Sequence, residues 1–182
     1  MRSLSSFAAI GFVLALTCVP TLQAEDSVAP TEISVAGGKV KIKVPAGWEK
    51  QEPRSRIIEF EFEIPPVKGD ANGRFTVMGA GGSVKANLDR WQGQFVNAAA
   101  KPKITESKKD KMIVHTFEME GTYKDQAGPF APAVQKENYR MMAAILETKQ
   151  YGLIFLKAYG PRETLSKSDE AFKKMIESIQ VE

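Results

Sequence analysis

The stretch Ile58-Glu59-Phe60-Glu61-Phe62-Glu63-Ile64 constrains the fold of this chain more than any other. Apolar and acidic residues alternate with a period of two, which suits a strand with one buried face and no amphipathic helix. The pattern predicts Ile58, Phe60, Phe62 and Ile64 against a core and Glu59, Glu61 and Glu63 in water. Pro65-Pro66 stops the strand, since proline cannot donate to a ladder. Gly69-Asp70-Ala71-Asn72-Gly73 supplies a turn, and Phe75-Thr76-Val77-Met78 returns beside it.

The same grammar recurs on both sides. Ile33-Ser34-Val35 and Val40-Lys41-Ile42-Lys43-Val44 alternate around Ala36-Gly37-Gly38, a hairpin signal. Lys101 to Lys109 reads as a short polar edge strand, its lysines discouraging further pairing. Met112 to Thr122 is a strong strand. Tyr139 to Thr148 and Tyr151 to Tyr159 are two long apolar strands around Lys149-Gln150, expected at the sheet centre with both faces covered. Between these sets the period changes. Val84, Leu88, Trp91, Phe95 and Ala98 recur at helical spacing, with Ser83 placed to cap. A last helix places Phe172, Met175, Ile176 and Ile179 on one face, with Ser166 and Asp169 as a candidate capping box. Strands, helix, strands, helix, joined by short turns, predict an α+β domain: an antiparallel sheet with helices packed on it.

The N-terminus reads as a secretory leader. Arg2 precedes an apolar run from Phe7 to Leu16, and Pro20 introduces a small-residue cleavage region ending at Leu22-Gln23-Ala24. That run is too short for a membrane-spanning helix. The expected organisation is a signal peptide over 1–24, a flexible tail over 25–32 and a single domain over 33–182. The expected destination is the periplasm or the extracellular space. The sole Cys, Cys18, leaves with the leader, and acylation at that thiol is the alternative, although Thr17 is a poor residue for a lipobox. Without Cys18 the exported domain has no disulfide, thiol nucleophile or thiolate ligand. The formal net charge of +3, reduced by one with Arg2, is too small to predict nucleic acid as a partner.

Several strings together carry a resemblance. They are Val44-Pro45-Ala46-Gly47-Trp48 leading into a strand, Gly81-Gly82-Ser83 opening a helix with Asn87-Leu88-Asp89-Arg90-Trp91-Gln92-Gly93-Gln94-Phe95, and the strand exit Lys157-Ala158-Tyr159-Gly160-Pro161 before a C-terminal helix. From about Ile33 onward the chain resembles a group of uncharacterised exported bacterial proteins with the PsbP-like α/β/α sandwich, whose relatives include the photosystem II extrinsic subunit and a Ran-binding nuclear-import factor. The resemblance implies a binding or assembly module more than an enzyme. Fold does not by itself settle function.

Reactive chemistry is sparse. Gly79-Ala80-Gly81-Gly82 sits where phosphate loops live, between strand and helix, but Val84 and the absence of Gly-Lys-Ser/Thr break both nucleotide patterns. Asp70-Ala71-Asn72-Gly73 resembles the start of a calcium loop, yet its twelfth position is Gly81 where a Glu is required. His115 is the only imidazole, with Glu118 and Glu120 on the opposite strand face, and predicts neither a metal site nor a convincing general base. No cofactor is expected. Asn87, Arg90 and Gln94 fall on one flank of the first helix and are candidates to bind a carboxylate or carbonyl, or to fix the helix on the sheet. Tyr123 to Glu137 lacks periodicity and reads as a long loop, with Phe130 a candidate anchor for a partner. The sequence therefore predicts an exported, non-catalytic binding or assembly module of unknown protein or small-ligand partner. The alternatives are a small-ligand carrier with a pocket between sheet and first helix, near Trp91 and Arg90, and a small hydrolase using His115.

Overall fold

A computed structural model describes residues 29–67, 69–98, 100–126 and 131–182. The expected leader, Cys18, the first half of the expected tail and Phe130 lie outside the described residues. The elements run β1 (Thr31–Val35), β2 (Val40–Val44), β3 (Glu49–Gln51), β4 (Phe60–Ile64), β5 (Gly73–Ala80), α1 (Val84–Gln92), β6 (Phe95–Val96), β7 (Lys103–Lys109), β8 (Met112–Asp125), β9 (Val134–Thr148), β10 (Gly152–Pro161), α2 (Arg162–Ser166), α3 (Asp169–Ser178) and β11 (Gln180–Val181). Thr31 and Glu32, placed by the sequence in the tail, already pair with Val44 and Lys43.

The strands form two sheets, both antiparallel where they pair. The large one runs β3-β4-β5-β10-β9-β8-β6, with β7 also on β8, and the small one runs β1-β2-β11. β9 and β10 are central, as their long, mainly apolar runs require: Arg140 to Leu146 and Ile154 to Gly160 are buried throughout. The first hairpin does not extend the large sheet. Its alternation leaves Val40, Ile42 and Val44 on one apolar face, and that face covers the large sheet alongside α3.

Two cores result, one on each face of the large sheet. Under α1 lie Trp91, Phe95, Phe117, Met141, Ile145 and Phe155. On the opposite face Phe75, Ala144 and Leu156 pack against Ile33 and Ile42 of the small sheet and Phe172 and Met175 of α3. Trp91 meets Phe117 and Phe155 edge-on at 5.8 and 5.2 Å. These are favourable aromatic geometries, and Trp91 is only 1% exposed.

Five sequence expectations are corrected. Glu61 does not face water but is 2% exposed, because Arg74 on the neighbouring strand neutralises it. The helix expected from Val84 through Ala98 ends at Gln92, and Phe95 reaches the same core from β6. The loop expected from Tyr123 to Glu137 is ladder at both its ends: Tyr123, Lys124 and Asp125 pair with Lys136, Gln135 and Val134. A register shift conceals it, because β9 inserts an extra residue around Asn138, held in the left-handed region at φ 54°. No Ser166–Asp169 capping box forms, since Ser166 ends α2 and both side chains turn to Arg140. Ile179 follows α3 as its C-cap, and β11 then returns the chain to β2.

One backbone contact deserves its glycines. β5 and β10 approach so closely at one end that a Cβ on Gly160 would lie 2.7 Å from Gly73 Cα and 2.8 Å from Leu165 Cδ2. Leu165 of α2 is fully buried over this point. Any larger residue would separate strand from strand or strand from helix.

Candidate functional site

The polar residues of α1 meet the sheet through its turn and its last residues. Ser83 caps the helix, its Oγ accepting from Ala86 N at 3.1 Å. Asn87 points inward rather than into a groove. Its Nδ2 donates to Gly81 O at 3.1 Å and Ser83 O at 2.9 Å, stitching the glycine-containing turn to the helix. Its Oδ1 accepts from Arg90 Nη2 at 2.9 Å. Arg90 is exposed and lies over the Phe155 ring, 5.8 Å from its centroid. Asn87 therefore spends its hydrogen bonds on backbone, while Arg90 keeps donors at the surface.

Gln94, just past the helix, leads to a group that sequence reading overlooked. Its Oε1 accepts from Lys157 Nζ at 2.8 Å. Lys157 stands between Phe155 and Tyr159 on the α1 face of β10 and is 9% exposed. Nζ also donates to Tyr123 OH at 3.2 Å and sits 4.8 Å from the Tyr159 ring centroid and 5.4 Å from that of Tyr123. No carboxylate pairs with Lys157 among the described residues. Burial pushes its ammonium down to about 7, the Arg90 and Arg74 charges add to that, and Asp125 opposes them. At neutral pH the amine is poised between its two protonation states, stabilised by an amide oxygen, a phenol and two π-faces.

Beside it lies a buried ion pair. Arg74 forks onto Glu61, Nε to Oε1 at 2.7 Å and Nη2 to Oε2 at 2.8 Å. The Arg54 backbone N–H donates to Glu61 Oε2 at 3.0 Å, and Arg54 Nε lies 3.1 Å from Oε1. Burial alone would raise the Glu61 carboxyl; the hydrogen bonds from Arg74 and Arg54, with their charges, hold it below the usual range. Arg74 Nη1 also donates to Tyr159 OH. Tyr159 in turn contacts Tyr123 at 5.0 Å between centroids, and Tyr123 stacks on Tyr139 at 6.1 Å and 5°. Burial pushes the hydroxyls of Tyr123, Tyr139 and Tyr159 up, so all three stay protonated. A cavity of about 110 Å³, lined in part by Glu61, Arg74, Asp125, Tyr139 and Tyr159, opens onto this network. It has room for a few water molecules and no organic substrate.

The remaining candidates are placed as follows. His115 is buried and bracketed by acids that parity along its own strand did not reveal. Nε2 is 2.9 Å from Glu147 Oε2 on β9, and Nδ1 is 3.5 Å from Glu106 Oε2 on β7. The carboxylates occupy opposite ring nitrogens, so the three groups clip neighbouring strands together and do not converge on one point. No cluster suited to a metal ion occurs among the described residues. Trp91 fills the space between α1 and the sheet, and none of the five cavities described is lined by Asn87, Arg90, Trp91 or Gln94. None of these cavities therefore opens where the carrier pocket was expected.

Two signals for the overlooked network were in the sequence. Lys157 interrupts an apolar run that otherwise demands burial on both faces, and Arg74 stands on the strand returning beside Glu61. Tyr123 gave none, because it was assigned to a loop.

The fold is PsbP-like. The chain superposes on the solution structure of cyanobacterial PsbP, CyanoP, from Synechocystis sp. PCC 6803 with a TM-score of 0.55 and 12% identity, over 92% of this chain and 99% of that one. It also aligns with the Saccharomyces cerevisiae Ran-binding protein Mog1p at a TM-score of 0.47 and 10% identity, over 85% of this chain and 96% of that one. No family model matches the sequence, and no curated protein is similar to it.

Proposed function

We propose that the protein is exported by its N-terminal leader and acts in the periplasm or outside the cell as a non-catalytic binding or assembly module. The observation that carries this reading is where its polar chemistry is spent. Among the described residues, no fully buried side-chain nitrogen or oxygen lacks a hydrogen-bond partner. Lys157, Glu61, Arg74 and the tyrosines satisfy one another, and Asn87 satisfies a turn. A catalytic site would hold such a group ready for a substrate. No helix among the described residues is long and apolar enough to cross a membrane.

The binding surface in this reading is the flank of α1 around Arg90, together with the connection after β8 that contains Phe130. Cross-linking in intact cells, followed by reconstitution from purified components, tests it. One defined protein partner, lost on Arg90→Glu with Phe130→Ser, is the expected result. Turnover of small esters or amides that disappears in His115→Ala would replace the module with the hydrolase. N-terminal sequencing of the exported form is expected to begin at Glu25. A mature chain beginning with an acylated Cys18 would replace the leader with a lipid anchor.

A further inference from the structure

We propose that the recess at the hairpin end of the large sheet binds a small amphiphilic anion, a carboxylate carried on an unbranched apolar chain. The recess measures about 630 Å³, the largest of the cavities described, and lies within the usual range of small-molecule sites. It is bounded by the β7–β8 turn at Asp110-Lys111, the β9–β10 turn at Lys149-Gln150-Tyr151, and Val181 of β11. Its lining is mainly apolar, supplied by Met112, Ile113, Tyr151 and Val181. A chain laid there would shed water from both surfaces.

Its rim is what selects a sign. Lys108, Lys111 and Lys149 line the recess and are exposed, and none takes part in an ion pair or side-chain hydrogen bond among the described residues. Two acids also line it. Glu147 is engaged, its Oε2 lying 2.9 Å from His115 Nε2, and Asp110 stands between Lys108 and Lys111 in sequence. Long lysine stems can lie along apolar surface while presenting their ammonium groups to a carboxylate at the mouth. A neutral head would find no charge partner, and a cationic one would meet three lysines with only Asp110, among the described lining residues, unengaged to receive it. The inference goes beyond the binding-module reading and stands whether or not a protein partner exists. It also moves the carrier function away from α1, to the opposite end of β10 from Pro161.

Isothermal titration of the exported protein with monomeric decanoate tests it, with acetate and decyl maltoside as controls for head and chain alone. Saturable 1:1 binding of decanoate, with neither control binding, is expected. Lys111→Glu with Lys149→Glu, both on exposed turns, should weaken binding about tenfold while leaving the thermal midpoint and circular dichroism unchanged. Raising salt should weaken it in the same direction. The proposal falls if decanoate shows no saturable heat, if decyl maltoside binds as well, or if the double variant binds as tightly as the parent. Binding to anionic phospholipid vesicles without binding to decanoate would also overturn it, in favour of a membrane-facing patch.

Discussion

Lys157 Nζ lies 2.8 Å from Gln94 Oε1, which joins the centre of the large sheet to the residues just past α1 through one half-buried hydrogen bond. The bond is made by an amine with no carboxylate beside it among the described residues, so its charge is uncompensated. Burial lowers its affinity for a proton to about 7 from an ordinary value near 10.5. Between those values the unfolded chain binds more protons than the folded one, so stability rises with pH across that window. Lys157→Met removes the term. It is expected to be about 1–3 kcal/mol more stable than the parent at pH 7, with the gain shrinking toward pH 9.5. Urea melts at pH 6.5, 8 and 9.5 measure the slope. Parallel curves for parent and variant would show that the amine is not desolvated.

Glu61 behaves in the opposite sense. Its carboxyl is held below the usual range, so its stabilisation is complete above the ordinary carboxylate values and is lost as pH falls through the folded value. Glu61→Gln keeps the shape and removes the charge, leaving Arg74 buried with only Tyr159 and a neutral amide. A loss of about 2–3 kcal/mol at pH 7 is expected. The acid limb of the stability profile should also flatten, read from thermal midpoints between pH 3 and 6.

Gly160→Ala tests the close approach of β10 to β5. The new methyl would meet Gly73 Cα and Leu165, neither of which is the free end of a flexible chain. A loss of about 1–3 kcal/mol is expected from overpacking, with the midpoint of urea denaturation as readout. Gly152→Ala makes a useful contrast, because open space surrounds its Cβ position and only its φ of 71° resists the change.

Trp91 is the core of the α1 layer. Trp91→Ala should cost about 3–5 kcal/mol. It should abolish most near-ultraviolet dichroism from that side while leaving the Trp48–Phe75 contact on the other face in place. Retention of full stability would mean that α1 is only loosely attached.

The central strands were legible because burial on both faces forces continuous apolar runs, and Tyr139–Thr148 and Tyr151–Tyr159 are such runs. Ser83 was legible because capping is local. Partnerships across distant strands were not. Glu61 has the alternation of a solvated residue, and Arg74, thirteen positions away, with Arg54 makes its burial tolerable. His115 faces acids from β7 and β9, which its own strand cannot disclose. β11 has two residues, too few to show any period, yet it completes the small sheet. Asn87 and Gln94, which the sequence offered either as binding groups or as fixings of the helix, are engaged by backbone and Arg90 and by Lys157 respectively.

The extra residue around Asn138 divides β9 into two phases. On the C-terminal side, odd-numbered positions such as Tyr139 and Met141 point toward α1; on the N-terminal side, Lys136 stands opposite Tyr123 and even numbers take that direction. Excising Asn138 would restore an uninterrupted ladder and leave Lys136 opposite Tyr123, whereas ironing out the bulge without a deletion would slide Glu137 into that place and turn the strand's outer segment inside out. The backbone at this one place therefore decides whether Lys136 or Glu137 stands beside the tyrosines.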